Sequence, residues 1–165
     1  MKPTACTFES SHEQPGNRSD AQTNPAGTGI QPDPSNAELV VRRFMSNVLE
    51  RGDVRQIPEL VAPDYVGHLG HGDYYGPEGA RIVVAMFRNA LPDLTVHLDD
   101  LLTCGDRVTR RFTITGTHLA PLLGHPPTGE QTVLRGIGID RVAQGRLQES
   151  WLLVEIVPRA PPTHP

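Results

Sequence analysis

From residue 36 onward the apolar positions recur first at helical and then at strand intervals, and this change of period orders the chain. Ala37, Val40, Val41, Phe44 and Val48 fall on one helical face. Ser35 and Glu38 have capping-box spacing ahead of that stripe, and Gly52 ends it. Asp53 and Gln56 repeat the cap spacing before a shorter stripe of Ile57, Leu60 and Val61; Pro58 kinks or delays this second helix and Pro63 stops it. Tyr65 to Leu69 reads as a short strand, followed by a glycine loop over residues 70–76. Pro77 suits the first position of a third helix and Glu78 its first turn, with Ile82, Val83, Met86, Phe87 and Ala90 as the buried face.

After Pro92-Asp93 the period drops to two. Strands are predicted over Leu94 to Thr103, Arg107 to His118, Gln131 to Val142 and Leu147 to Val157. Helices with one strand, then a helix, then a meander of long strands make an α+β order: a curved, mostly antiparallel sheet wrapped as a cone over the N-terminal helices. Residues 1–34, rich in Pro, Gly, Ser, Asn and Thr, cannot bury enough apolar surface to order and are expected to be a disordered tail. The proline-rich stretch 158–165 is expected to fray, which leaves one domain over 35–157.

Charge and cysteine content narrow the partners. A net charge of -4 without a basic run argues against nucleic acid and anionic membrane, and leaves a small molecule or another protein. Cys6 and Cys104 make neither a disulfide framework nor a metal-ligand spacing, so a reducing cytoplasm is the simplest compartment. No apolar run reaches the length of a bilayer span.

No nucleophile elbow, phosphate loop or dinucleotide fingerprint occurs, so any chemistry is expected to be cofactor-free acid-base work in an apolar pocket. His68, His71 and Asp73 lie close together but lack a fixed geometry and a fourth ligand, so no metal is expected there. His68, on a strand, is a candidate acid/base or a partly exposed polar residue. His118 ends a long strand and opens the loop from Leu119 to Gly129, which is apolar at Leu119, Leu122 and Leu123 and stiffened by prolines; it either serves a site under that loop or holds the loop. Glu155, near a strand end, is a solvated rim residue or a general base.

Strand parity sorts the remaining candidates. Leu134, Gly136, Gly138 and Asp140 share one face of their strand, and the two glycines imply either sheet curvature or close approach of a ligand. Trp151 is a core or dimer-interface residue or a ring stacked on a substrate. Arg110 shares a face with Phe112 and Ile114; it needs a carboxylate or a ligand there, unless it is exposed at the strand end.

Gly116-Thr117-His118 with Gly124 and Pro126-Pro127-Thr128-Gly129 resembles the SnoaL-like polyketide cyclase family of the NTF2-like superfamily. Arg51-Gly52-Asp53, Ala62-Pro63-Asp64-Tyr65, Gly76-Pro77-Glu78-Gly79, Leu91-Pro92-Asp93-Leu94, Gly105-Asp106-Arg107-Val108 and Gly145-Arg146-Leu147 with Glu149 and Trp151 extend the likeness over roughly 36–157. The resemblance implies an NTF2-like cone and intramolecular aldol chemistry, without cofactor, that uses a pocket aspartate. That aspartate's position falls on Leu152, or on Ser150 after a one-residue shift, and the family's other polar pocket positions fall on Gly67, Gly136 and Gly138. His118 and Glu155 match family positions.

The expectation is therefore a cofactor-free polyketide cyclase or isomerase with His68, His118 and Glu155 as catalytic candidates. Tyr65, Phe112, Leu134, Gly136, Gly138, Trp151 and Leu152 are the candidates for holding an aromatic polyketide-like substrate. The alternatives are a non-catalytic small-molecule-binding module whose open sheet face makes a homo-oligomer, or another tailoring step such as hydroxylation or epoxide hydrolysis.

Overall fold

A computed structural model describes residues 34–70 and 72–157. The tail over 1–33, His71, the segment 158–165 and the side chains of Pro34 and the expected cap Ser35 lie outside the described residues. The chain order is α1 (Pro34–Arg43), a π-helical segment (Phe44–Glu50), a single 3₁₀ turn (Val54–Gln56), α2 (Ile57–Leu60), β1 (Val61–Leu69), β2 (Gly72–Tyr75), α3 (Gly76–Ala90), β3 (Thr95–Cys104), β4 (Arg107–Thr117), β5 (Gln131–Ala143) and β6 (Arg146–Val157). The strands form one six-stranded sheet in the order β2-β1-β6-β5-β4-β3. It is antiparallel except where β1 lies parallel to β6. This is the expected α+β cone: a curved, unclosed sheet with the helices packed on its inner face.

The first helix runs to the predicted stop, but its second half widens into the π-helical segment. Gly52 ends it at φ 75°, a conformation that favours glycine. Arg88 of α3 reaches across to donate to the carbonyls of Leu49 and Glu50, which the helix itself leaves unpaired. Three local differences from the pattern have simple causes. The second helix shrinks to a 3₁₀ turn and Ile57–Leu60, because Pro58 fits only its opening turn. Residues 72–75 of the expected glycine loop form β2, a short, largely exposed edge strand whose composition carries no apolar alternation. In α3, Ile82 is 51 % exposed, and the buried face is Ala80, Val84, Phe87 and Ala90, rotated from the predicted stripe.

Strand alternation holds along β4 and β5. Val108, Arg110, Phe112 and Ile114 of β4 and Leu134, Gly136, Gly138 and Asp140 of β5 turn inward, while Ile137 and Ile139 turn out. The paired glycines have a packing reason. A Cβ at Gly136 would sit 2.2 Å from Phe112 Cζ, and one at Gly138 would sit 3.1 Å from Arg110 Cζ. Glycine on β5 is thus what lets two large β4 side chains lie across the neighbouring strand. The space that the sequence leaves open for a ligand is filled by Phe112 and Arg110.

Gly136→Ala should therefore destabilise the domain by about 1–3 kcal/mol through overpacking. Adding Phe112→Leu should recover part of that loss, as read by urea denaturation with unchanged m-value.

Candidate functional site

Between the inner sheet face, the first helix and α3 lies a small cavity of about 50 Å³. Its walls are apolar: Val41, Phe44, Met45 and Leu49 from the first helix, Ala80, Val83, Val84 and Phe87 from α3, and Phe112, Ile114 and Leu152 from the sheet. Four polar side chains converge on it from four strands: Tyr65 of β1, Arg110 of β4, Asp140 of β5 and Ser150 of β6.

Arg110 is buried, 6 % exposed, and Asp140 faces it at 1 %. The pairing is bidentate, Nε to Oδ2 at 2.5 Å and Nη2 to Oδ1 at 3.1 Å. The Ser150 hydroxyl donates to Asp140 Oδ1 at 2.6 Å. Burial works against the guanidinium charge, but the carboxylate beside it more than compensates and raises the Arg110 pKa. Arg110 Nη1 meets only the soft Met45 Sδ, at 3.1 Å. Of five guanidinium N–H groups, these contacts use three and leave two without a partner among the described residues. Tyr65 completes the group. Its phenol interacts with Ser150, and burial raises its pKa, so it stands at neutral pH as an O–H donor. A Cβ on Gly67 would lie 2.6 Å from that hydroxyl, so glycine there leaves room for the phenol.

The sequence gives Arg110 a choice of carboxylate, ligand or exposed strand end; it is buried, and its carboxylate is Asp140. Asp140 itself carries no motif signal. Its inward parity beside Leu134, Gly136 and Gly138 was the trace that could have found it, since a buried carboxylate on that face needs a cation.

The expected catalytic trio is not brought together. His68 borders the cavity through its place on β1, but its ring packs on Trp151 at 5.4 Å between centroids, on the side of the sheet away from the helices. Its Nδ1 lies 2.8 Å from Asp73 and its Nε2 3.2 Å from Glu149. Both partners are carboxylates, an arrangement that only the protonated ring satisfies at both nitrogens. The Asp73 carboxylate first, and Glu149 second, raise its pKa accordingly.

His118 is 1 % exposed, and its Nε2 is buried without a hydrogen-bond partner among the described residues. Its backbone clamps the proline loop, donating to Glu130 O at 2.9 Å and accepting from Gly129 N at 2.8 Å. That loop tucks Leu122 into the core and does not line the cavity; Leu122 and Leu123 border a separate concavity with Leu69 and Met86. Glu155 lies on the outer face opposite Arg135 in register.

Of the substrate-binding candidates, Tyr65, Phe112 and Leu152 line the cavity. Leu134 is in the core beside it, Gly136 and Gly138 are covered by Phe112 and Arg110, and Trp151 points outward. Among the described residues no group of three His, Cys, Asp or Glu side chains is arranged to hold a metal, and no helix is long and apolar enough to cross a membrane.

The family model for the SnoaL-like polyketide cyclase matches residues 39–158. Among solved structures, IdmH from Streptomyces antibioticus, a proposed polyketide cyclase, is similar at 29 % identity over 72 % of this chain and 91 % of its own, with a TM-score of 0.62. TsrD from Streptomyces laurentii is similar at 25 % identity over 74 % and 90 %, with a TM-score of 0.66. AclR from Streptomyces galilaeus, a proposed hydroxylase, shares the fold at 21 % identity over 74 % and 91 %, with a TM-score of 0.63. No curated protein matches this sequence.

The raised His68 pKa has a stability consequence of definite sign. Its contribution is fully present below the unfolded value near 6.5 and is lost as pH rises through the higher folded value. Thermal melts across that window should show the wild type losing stability with rising pH, with a flatter profile in His68→Gln; identical slopes would remove the ion-pair account.

Proposed function

The chain belongs to the SnoaL-like polyketide cyclase family, and from that premise we propose that it is a cofactor-free cyclase or isomerase that enolises a hydrophobic, carbonyl-bearing substrate of polyketide type. The observation that carries this reading is the buried guanidinium with unused N–H groups in an apolar cavity, beside a protonated phenol. Such donors, fixed before the reaction and away from water, stabilise an enolate oxygen far better than water-exposed ones.

Arg110 and Tyr65 hold the carbonyl oxygen, and Asp140, the carboxylate that lines the cavity, takes the proton from the adjacent carbon. The net charge around Arg110 is unchanged by that step, since a carboxylate is neutralised as an enolate appears beside the same cation. Three hydrogen bonds hold the Asp140 carboxylate in place. The carbon between two carbonyls in a polyketide is acidic already, so a carboxylate serves as its base. The enolate carbon then attacks a second carbonyl of the same molecule, and the alkoxide formed is protonated from Tyr65 or Asp140.

The cavity sets a condition on the substrate. About 50 Å³ holds a few waters and no ring system. A guest must displace half-buried rim residues such as Phe44, Val83 and Leu152. Phe44 opens the π-helical segment, where the wider turn relaxes the regular hydrogen-bond ladder. The small volume also favours a second reading, a binding module that opens for a ligand without transforming it.

The two readings separate in a heavy-water turnover assay with β-dicarbonyl polyketide esters. Conversion to an isomeric product with deuterium next to the carbonyl is expected. Tyr65→Phe and Arg110→Lys, both folded, should lose roughly 10²-fold or more in turnover. Saturable binding that raises Tm without conversion would establish the binding module. Wild-type turnover in both variants would overturn the assigned roles.

A further inference from the structure

A cavity of about 50 Å³ cannot hold a whole substrate, so the part that does not react must lie elsewhere. A second concavity, of about 540 Å³, adjoins it beside the proline loop, and its volume falls in the range that holds a small ligand. Leu69, the last residue of β1, borders both spaces. Val83 and Leu152 line the cavity, and Met86 and Val154 line the groove. Met86 follows Val83 by one turn of α3, and Val154 follows Leu152 on the same face of β6, so the two spaces succeed one another along the same walls. No side chain on the groove wall carries an oxygen or a nitrogen, and none is aromatic.

The proline loop closes the far wall of the groove in a strained turn. Leu122 and His125 exchange both backbone hydrogen bonds, at 3.0 and 2.9 Å, around Leu123 and Gly124. Both central residues are left-handed, at φ 50° and 82°. Glycine and asparagine adopt that backbone at little cost, whereas leucine does not. What the leucine supplies there is its side chain, half-buried against the core and forming part of the groove wall.

We propose that this groove holds the non-reacting end of the substrate, and that this end is an aliphatic chain. The proposal rests on the enolising reading of the cavity, which places the dicarbonyl head at Arg110. A chain has a narrow cross-section and threads past Leu69 between the half-buried Val83, Met86 and Leu152, where a fused ring must push more of the wall aside. An oxygenated aromatic end would also lay its polar atoms against a wall with no side-chain partner for them, at a cost for each one buried. The substrate class is then a β-keto acyl compound with a hydrocarbon tail, distinct from the aromatic class that the family resemblance implies.

Met45 lines the cavity and Met86 the groove, so their methyl groups report on the two spaces separately. Methyl acetoacetate and its straight-chain β-keto homologues are titrated against the full chain carrying isotope-labelled methionine methyls, read by NMR. Methyl acetoacetate should move the Met45 signal alone, and longer homologues the Met86 signal as well. Each added methylene that enters the groove should tighten binding roughly threefold, with a plateau once the chain outruns it. A fused-ring β-keto ester of equal apolar area should gain no such increment. In Leu123→Asn, whose side chain suits the left-handed backbone but interrupts the apolar wall, the gain per methylene should fall while Tm holds. Affinity indifferent to chain length, a Met86 signal silent under the longest chain, an undiminished gain in Leu123→Asn, a fused ring bound as tightly as the matched chain, or no binding by any homologue would each overturn the proposal. Tail-dependent binding without turnover would leave the groove assigned and remove the cyclase. Turnover that ignores tail length would do the reverse, so the two proposals fail separately.

Discussion

The buried pair of Arg110 and Asp140 is the constraint to which the rest of the inner face answers. Two charges removed from water cost several kcal/mol each, and attraction between them compensates only with good geometry and further hydrogen bonds. Here the fork is bidentate, Ser150 donates a further bond, and the guanidinium lies 5.2 Å from the Phe112 ring centroid. The pair needs Gly138 beneath it, because a side chain there would meet the guanidinium. It also ties β4, β5 and β6 together at one height, under Met45 of the first helix. An apolar trio of similar volume could hold the strands as well; a charged one keeps an oriented donor inside an apolar cavity.

Three glycines of the inner face answer to the same packing constraint. Gly67 is overlain by Tyr65, Gly136 by Phe112 and Gly138 by Arg110. In each case the polar group or bulk comes from a neighbouring position: two residues back along β1, or across from β4. The space beside each glycine is thus occupied by a side chain lying over it.

Much of this was legible in the sequence. The switch from helical to alternating period, the Gly-Asp turns and the Pro-Pro-Thr-Gly loop give the element order and the family, and strand parity groups Arg110 with Phe112 and Ile114 and separates Ile137 from Gly136, as the sheet does. What parity cannot give is which pairs meet across strands. Arg110 and Asp140 are thirty residues apart, and only the β4–β5 register brings them together. His68 was attractive as a lone histidine on a strand, but its protonation is decided by Asp73, on an edge strand with no alternation, and by Glu149, from the far end of the chain. The π-helical widening at Phe44 leaves no mark in an apolar stripe whose spacing a regular helix also satisfies.

Alternation also couples the two faces of the sheet. Asp140 and Ser150 point inward from the same pairing at which their neighbours Ile139 and Trp151 point outward, one residue away on each strand. A shift of β5 by a single residue would turn the carboxylate outward, and a like shift of β6 would turn Trp151 under the helices. Whatever fixes the outward side chains in register therefore fixes the inner donors as well. The apolar outer face and the charged inner one are then not separate features on a shared scaffold, since one register of β5 against β6 sets both.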